Sequence, residues 1–255
     1  MTTSAAAFAL GRAPSALALS VVVPMFNEEE GAAALVEEIA GALAGLAYEI
    51  IVVDARSSDG TVAALKAARA KVPDLRIFAH EANAGQSRAV RTGVLGARAA
   101  IIATLDGDGQ NDPADIPRLR LALIRPDAPA GLAMVAGERV KRRDSAAKRW
   151  ASRIANRVRQ RLLKDGASDT GCGLKVFYRE AFLRLPAFDH MHRYLPALMR
   201  REGFLVEFAP VNHRPRAFGT SKYTNLGRLA VAFRDLMGVM WLNDRARSPK
   251  GISEL

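Results

Sequence analysis

The most constraining feature of this sequence is an alternation of short, unbroken apolar runs with segments of helical periodicity. Five runs in the first half have the length and composition of strands, at residues 18–24, 48–54, 75–80, 99–106 and 132–137. Runs without polar alternation are typical of strands that are covered on both faces, as in a parallel sheet. Because helical patterns separate the runs, the sequence predicts repeated strand–helix–strand units and a doubly wound α/β sheet.

The helical segments are predicted from apolar spacing and from the residues that flank them. The first has apolar residues at helical spacing from 36 to 43, and Asn27 is placed to cap its N-terminus. Three more are expected at 58–71, 85–98 and 113–123. Since ligands bind at the carboxyl ends of strands in such sheets, we expect a site built from the polar residues that follow strands one, two and four.

The second half is less regular. Residues 145–164 are predicted to form a basic helix, with strands near 171–179 and 204–214. Helical spacing returns at Leu226 and continues to residue 242, but Arg228, Arg234 and Asp235 interrupt it. The segment therefore offers no stretch of about 20 uncharged apolar residues to cross a bilayer, although it could lie on one.

We divide the chain into a flexible tail at 1–17, a catalytic domain at 18–224 and an amphipathic helix with its tail at 225–255. The tail lacks a basic region followed by a long apolar core, which argues against a signal peptide. The single cysteine, Cys172, excludes a disulfide within the chain and fits a reducing compartment.

The charge of the protein is concentrated in one window. The formal net charge is +11, and residues 139–164 contain eleven basic residues and one acid, Asp144. The rest of the chain is therefore close to neutral. A local basic feature of this kind predicts a partner with concentrated negative charge, such as a phosphate, an anionic lipid surface or nucleic acid.

The stretch IIATLDGDGQND ends a predicted strand with oxygen-bearing side chains at alternate positions, Asp106, Asp108 and Gln110. Such side chains are the ligands that Mg²⁺, Mn²⁺ and Ca²⁺ prefer. An EF-hand loop that began at Asp106 would need glycine at its sixth position and glutamate at its twelfth. The sequence has Asn111 and Pro117 there, so the pattern predicts a different kind of metal site at the end of a buried strand.

Seven segments of the chain resemble, in order, the motifs of inverting family-two glycosyltransferases: VVVPMFNEEE, VVDARSSDGT, NAGQSRAVRTG, TLDGDGQND, GERVKRR, DTGCGLKVF and HRPRAFGTSKY. The chain is most similar to the branch that contains the dolichol-phosphate mannose synthase-like and bacterial polyprenyl-phosphate glycosyltransferases. The resemblance covers roughly residues 18 to 243. It implies a nucleotide-diphospho-sugar transferase fold (GT-A, Rossmann-like), with a mixed sheet flanked by helices and with C-terminal amphipathic helices.

The resemblance also implies an activity: transfer of one sugar, with inversion, from a nucleotide-diphospho-sugar to a polyprenyl phosphate (undecaprenyl or dolichyl). A divalent cation, Mg²⁺ or Mn²⁺, would assist the reaction. We expect the protein to be peripheral on the cytoplasmic face of the inner membrane. A separate integral membrane flippase or transferase would then handle the product, and no nucleic acid partner is expected.

Site residues are carried over from the family motifs position by position. The implied metal ligands are Asp106, Asp108 and Gln110. The implied nucleotide-sugar contacts are Pro24, Phe26, Glu28, Val53, Asp54, Asp106, Asp108 and Lys222. The acceptor phosphate is assigned to Arg139, Arg149 and Ser152, and the catalytic roles to Asp108, Arg139 and Arg216.

The proposed chemistry agrees with what the sequence lacks. A lipid phosphate has a second pKa of about 6, so at neutral pH it is already largely ionised and can attack without a strong general base. No Ser–His–Asp or Cys–His arrangement is evident, and none is needed.

One departure from the family pattern concerns recognition of the nucleotide base. The family usually has an aspartate and a glycine where this chain has Ala55 and Arg56. In some members of the family that aspartate accepts a hydrogen bond from the N3–H of uracil. An alanine side chain cannot accept one, and an arginine side chain is a donor only, so the sequence does not identify the nucleotide base.

Three alternatives remain open at this point. The same donor chemistry could act on a soluble acceptor, and Ala55 leaves room for a noncatalytic nucleotide-sugar binder. A nucleic-acid-binding module could use residues 139–164, although few aromatic residues interleave with the arginines there and the acidic motif would be unexplained. His190, His192 and His213 resemble a metal cluster only superficially, and structural or phosphate-facing roles are expected for them.

Overall fold

The computed structural model describes residues 16–139, 159–215 and 225–247. In the last of these ranges, side chains are described only from residue 231 onward. Its strands are β1 Leu19–Met25, β2 Tyr48–Asp54, β3 Leu75–Ala79, β4 Ile101–Thr104, β5 Leu132–Arg139, β6 Lys175–Tyr178 and β7 Leu205–Val211. Its helices are α1 Glu29–Ala42, α2 Thr61–Ala68, α3 Gly85–Gly96, α4 Ile116–Ile124, α5 Arg179–Leu183, α6 Leu195–Arg201 and α7 Asn225–Asp244. Residues 159–163 are also helical, and short 3₁₀ turns lie at Pro113–Asp115 and Met191–Arg193.

The strands form one seven-stranded sheet in the order β3-β2-β1-β4-β6-β5-β7. The pairs β1–β2, β1–β4, β2–β3 and β5–β7 are parallel, whereas β6 runs antiparallel to both β4 and β5. Six strands therefore end at the same edge of the sheet, and β6 begins there. The predicted α/β fold with a mixed sheet and flanking helices is confirmed.

Helices cover both faces of the sheet, which explains why the strand sequences are continuously apolar. Alternate residues of β1 enter opposite cores: Val22 belongs to a cluster with Phe177 and Phe182, and Val21 to a cluster with Ile39 and Leu119. All of these side chains are fully buried. The two cores make the sheet a rigid support for the loops at its edges.

The first helix begins differently from the prediction. Asn27 does not cap α1, which starts at Glu29 without a side-chain cap. Instead Asn27 adopts a left-handed conformation (φ 54°), and its Oδ1 accepts the backbone N–H of Ser58 at 2.8 Å. The residue thus ties the loop after β1 to the loop after β2, because the two parallel strands end side by side.

Most of the basic window lies outside the described residues, since only Arg139 and residues 159–164 of it belong to them. At its end Leu162 is exposed, whereas Leu163 is buried and Arg159 forms a buried ion pair with Asp165 at 2.5 Å. At this end of the predicted basic helix, the core therefore lies under Leu163 and not under Leu162.

The C-terminal helix α7 packs on the same core as the sheet. Val239 is fully buried, and Leu236 and Met240 pack against the cluster that contains Val22. Residues 1–15 of the predicted tail lie outside the described part of the chain, so the predicted domain boundaries remain predictions. Within the described ranges, no helix has the length and apolarity that crossing a bilayer requires.

Candidate active site

A cleft of about 1040 Å³ opens at the edge of the sheet where the parallel strands end. Phe26 and Glu28, which follow β1, line it together with Asp106 and Asp108, which follow β4. The order of the strands reverses between β1 and β4, and such a reversal leaves a crevice that commonly binds ligands. The location of the cleft therefore follows from the sheet topology.

The loop after β4 is held by its own polar groups. The backbone N–H of Asp106 donates to Asn111 Oδ1 at 3.0 Å, and that of Gln110 donates to Asp108 Oδ1 at 3.1 Å. Gly107 lies so close to β1 that an added Cβ would be 2.7 Å from the carbonyl oxygen of Pro24. These contacts fix two carboxylates beside the end of β1.

The electrostatics of this loop fit a bound cation. Burial raises the pKa of Asp106, and the neighbouring charge of Asp108 raises it further, while Lys175, Gln86 and Arg139 act in the opposite direction. Two adjacent carboxylates in a partly desolvated cleft repel each other, and a divalent ion would relieve that repulsion. Asp106 and Asp108 are therefore the residues of the cleft that could hold a divalent cation such as Mg²⁺ or Mn²⁺.

Gln110, the third predicted ligand, is placed differently. It is not among the residues that line the cleft, and its Nε2 donates to the carbonyl of Arg214 at 3.4 Å. Gln86, in the first turn of α3, instead reaches the cleft and donates from Nε2 to Asp106 Oδ1 at 2.7 Å. Gln86 was not among the predicted site residues, although it lies within the NAGQS motif that supported the family resemblance.

Asp54 is buried at the end of β2 and does not cap the following helix. Its Oδ2 accepts the backbone N–H of Ser57 at 3.1 Å, whereas its Oδ1 is buried without a hydrogen-bond partner in the described part of the chain. A buried acceptor of this kind costs free energy unless a ligand satisfies it. Neither Asp54 nor the fully buried Val53 lines the cleft itself, while Pro24 does.

Ala55 and Arg56, which follow β2, are both hydrogen-bonded to backbone carbonyl groups. Ala55 is buried, and its N–H donates to the carbonyl of Met25 at 2.8 Å. Arg56 is exposed and left-handed (φ 70°), and its Nε donates to the carbonyl of Glu81 at 3.0 Å.

Arg139, at the end of β5, is engaged by an acidic partner. Its Nε and Nη2 donate to the two carboxylate oxygens of Asp169 at 2.5 and 2.6 Å. Burial would lower the pKa of Arg139, but Asp169 outweighs burial and raises it. The Arg139 guanidinium is next to Gly171, which lines the cleft. Arg139 itself is not among the residues that line the cleft.

Two buried side chains also line the cleft, Lys175 at the start of β6 and Cys172 just before this strand. Lys175 Nζ donates to the carbonyl of Cys172, and burial lowers the pKa of Lys175. Burial also raises the pKa of the Cys172 thiol, which keeps it protonated. Lys175 and Cys172 line the cleft near Asp106, and the only signal for Lys175 in the sequence was a charge inside an otherwise apolar strand.

A turn at residues 189–193 forms another wall of the cleft. Ser87 Oγ and His192 Nδ1 are 2.7 Å apart, and burial lowers the pKa of His192 to about 3. His190 Nδ1 lies 2.9 Å from Asp235 Oδ2 of α7, and both histidines line the cleft. No group of three or more His, Cys, Asp or Glu side chains in the described ranges is arranged to hold a metal.

Four predicted site residues lie outside the described residues: Arg149, Ser152, Arg216 and Lys222. Their roles in acceptor and donor binding remain predictions. His213 forms an isolated β-bridge with Asn111, which brings the start of the segment that leads to Arg216 next to the acidic loop.

Comparison with known proteins gives a consistent result. Residues 20–185 match the model of a family described as Glycosyl transferase family 2. A dodecaprenyl-phosphate galacturonate synthase from Rhizobium johnstonii is 36% identical over 232 residues, which cover 88% of this chain and 67% of that protein. An undecaprenyl-phosphate 4-deoxy-4-formamido-L-arabinose transferase from Yersinia pestis is 36% identical over 226 residues, covering 86% and 66% respectively. The chain thus spans about two thirds of the length of these relatives.

Among solved structures, glucosyl-3-phosphoglycerate synthase from Mycobacterium tuberculosis superposes with a TM-score of 0.69 at 17% identity. The superposition covers 91% of this chain and 82% of that one. That crystal structure is a complex with Mn²⁺, uridine diphosphate and glucosyl-3-phosphoglycerate. At this level of identity the likeness establishes a shared fold.

Proposed function

The chain belongs to glycosyl transferase family 2, and we propose that it transfers a sugar, with inversion, from a nucleotide-diphospho-sugar to a polyprenyl phosphate. The observation that carries this proposal is the meeting of Asp106 and Asp108 with Phe26 and Glu28 in one cleft at the reversal of strand order. The names of the two 36%-identical relatives support the acceptor class, since both transfer sugars to prenyl phosphates.

We assign two functions to the residues in and around the cleft, which are binding of the donor and stabilisation of the leaving group. Asp106 and Asp108 would hold the cation, with Gln86 orienting Asp106, while Pro24, Phe26 and Glu28 would contact the nucleotide. Val53 and Asp54 do not line the cleft, and their predicted contacts with the nucleotide remain predictions. The cation would supply positive charge beside the diphosphate as it leaves. Arg216 and Lys222 are proposed to add positive charge at the same point.

The acceptor requires positioning more than activation. An ionised phosphate is already a nucleophile, so the protein needs cationic groups that place it opposite the leaving diphosphate. We assign this role to the basic window, with Arg149 and Ser152 nearest the phosphate and Arg139 held ready by Asp169. His192, with its low pKa, is too weak a base to take part in proton removal.

A lipid acceptor also requires access from a membrane surface. The outer face of α7 presents Phe233, Met237 and Trp241 four residues apart, with exposures of 64%, 48% and 61%. Arg234 and Arg245 flank this row and are exposed. We infer that this row lies on the cytoplasmic face of the membrane, close to the cleft, because Asp235 of the same helix pairs with cleft-lining His190.

The proposed function is tested by calorimetric titration of UDP, GDP and their hexose conjugates, first with Mn²⁺ or Mg²⁺ and then with EDTA. We expect one base to bind in the presence of metal, and we expect EDTA to abolish that binding. Asp108→Ala should lose it, by about a hundredfold or more, because one of two charged ligands is removed. Asp127→Ala is the matched control, since this exposed carboxylate follows α4 and does not line the cleft.

Turnover identifies the acceptor. A labelled sugar incubated with the holoenzyme and undecaprenyl phosphate should appear in the organic phase as a lipid-linked product. Binding of nucleotide without transfer would establish a noncatalytic binder, and transfer only to soluble compounds would contradict the lipid acceptor. Binding of neither nucleotide under any metal condition would overturn the proposal.

A further inference from the structure

The turn at residues 189–193 is held rigidly against the cleft. His190 occupies a left-handed conformation (φ 63°), which is uncommon for a residue with a side chain. Its imidazole pairs with Asp235 of α7 at 2.9 Å, and the next residue, Met191, is buried in the core. The turn that carries His192 and Arg193 is therefore anchored by His190 at α7 and by Met191 in the core.

Arg193 is an exception among the cations around the cleft. It is half-buried, and it is the one arginine among the described residues that line the cleft. Arg139 is paired with Asp169, and Arg214 with Glu38 and Asp112, but in the described part of the chain Arg193 has neither an ion pair nor a side-chain hydrogen bond. A guanidinium that is partly removed from water is stabilised by an anion that accepts from its planar fork.

His192 provides a neutral donor next to Arg193. Ser87 Oγ accepts the backbone N–H of His192 at 3.2 Å and lies 2.7 Å from His192 Nδ1. We assign the neutral tautomer in which Ser87 donates to Nδ1, which puts the imidazole proton on Nε2 and leaves that N–H outside this contact.

A short series of contacts connects this pair to the predicted metal ligands. Ser87 follows Gln86 in the first turn of α3, and Gln86 donates to Asp106 at 2.7 Å. An anion held by Arg193 and His192 would thus lie near the donor site, on the wall formed by the 189–193 turn.

We propose that the guanidinium of Arg193 and the Nε2–H of His192 form an anion subsite, which holds either the phosphate of the lipid acceptor or a carboxylate on the transferred sugar. The inference rests on the proposed function and names a recognition element for its substrates. Both candidate anions present two or more oxygens to a fork of N–H donors, so the two sources share one chemistry.

The test compares Arg193→Gln with wild type by calorimetry in the presence of Mn²⁺. The probes are the nucleoside diphosphate that wild type binds, its hexose and hexuronate conjugates, and farnesyl phosphate with farnesol as the uncharged reference. Arg69→Gln, which removes an exposed charge that does not line the cleft, is the matched control. Arg193→Lys keeps the charge without the fork, and thermal melts check that each variant is folded.

If the anion is the acceptor phosphate, Arg193→Gln should weaken farnesyl phosphate binding about tenfold or more, as expected for a charge-assisted hydrogen bond. If the anion is a sugar carboxylate, the hexuronate should lose affinity by that factor while the hexose does not. In either case the nucleoside diphosphate should bind within about twofold of wild type, and His192→Gln should weaken the same probe.

Equal affinities in wild type and Arg193→Gln for every probe would overturn the subsite. A similar loss for the nucleoside diphosphate itself would also overturn it, because Arg193 would then belong to the leaving-group site. If wild type binds no nucleotide, the proposed function fails first, and that result differs from a binding-competent protein that does not depend on Arg193.

Discussion

At the scale of single residues, the cleft depends on side chains that hold other side chains in place. Gln86 holds Asp106, Asp169 holds Arg139, and Ser87 holds His192. Each pair joins residues that are at least 20 positions apart in the sequence. A substitution at a holding residue should therefore alter affinity without removing a ligand.

Gln86→Leu tests this expectation at the metal site. Loss of the 2.7 Å hydrogen bond to Asp106 Oδ1 should weaken metal-dependent nucleotide binding about tenfold, the lower end of the range for residues that orient metal ligands. Calorimetry at saturating and limiting Mn²⁺ measures the change. Arg88→Leu, on the exposed side of the same helix, is the control, and equal affinity in both variants would contradict the orienting role.

At the scale of elements, a buried polar cluster joins three strands at the sheet edge opposite the cleft. Glu49 of β2 accepts from Ser20 of β1 at 2.7 Å, from Arg76 of β3 at 2.7 Å and from the backbone N–H of Arg98 at 2.6 Å. Burial alone would raise the pKa of Glu49, but these hydrogen bonds outweigh it and lower the pKa. The cluster ties β1, β2 and β3 together in this register, and the register sets where the loops after Met25 and Asp54 begin.

Glu49→Gln should destabilise the protein by about 2 kcal/mol at pH 7, a value discounted because Arg76 is partly exposed to solvent. Such a loss corresponds to a fall in Tm of about 4–8 °C for a chain of this size. A group with a lowered pKa stabilises the fold above its unfolded pKa, and that contribution is lost as the pH falls through the folded value. The difference between variant and wild type should therefore shrink below about pH 4.3.

Thermal and urea unfolding at pH 7 and in acid measure both effects. Glu30→Gln, an exposed acid in the first turn of α1, provides the control for a change of net charge. Equal stability of Glu49→Gln and wild type at pH 7 would show that the cluster is not a source of stability.

At the scale of the whole molecule, α7 has one face in the core and an opposite apolar row in solvent. Val239 is fully buried, whereas Phe233, Met237 and Trp241 are among the large apolar side chains that are exposed in the described ranges. Packing on the sheet therefore accounts for only some of the apolar residues of this helix, and a membrane surface would cover those that the core does not.

The double variant Phe233→Ser/Trp241→Ser should bind vesicles that contain anionic phospholipid several-fold more weakly than wild type, because insertion of two large side chains is lost. Co-sedimentation with the vesicles measures binding, and nucleotide affinity in solution should be unchanged. Leu121→Ser is the matched control, since Leu121 is 60% exposed on α4, which covers the other face of the sheet. Equal sedimentation of the double variant and wild type would contradict membrane attachment through α7.

The layered α/β fold and the position of the acidic loop could both be predicted from the sequence. Strands buried on both faces must be apolar throughout, and the ends of parallel strands must meet at one edge. These constraints are local, and of the polar residues that they point to, Glu28, Asp106 and Asp108 line the cleft, whereas Asn27 and Asp54 do not. The family motifs then supplied the chemistry that these positions serve.

Three features depend on tertiary structure and could not be predicted from the sequence. They are the antiparallel direction of β6, the pairing of Arg139 with Asp169 and the turn that presents His192 and Arg193. The tertiary structure also showed that Asn27 joins two loops instead of capping a helix. None of these features has a periodic signal, because each depends on which distant segments are packed together. Ser87 and His192, for example, are 105 positions apart and meet only because α3 and the 189–193 turn cover the same face of the sheet.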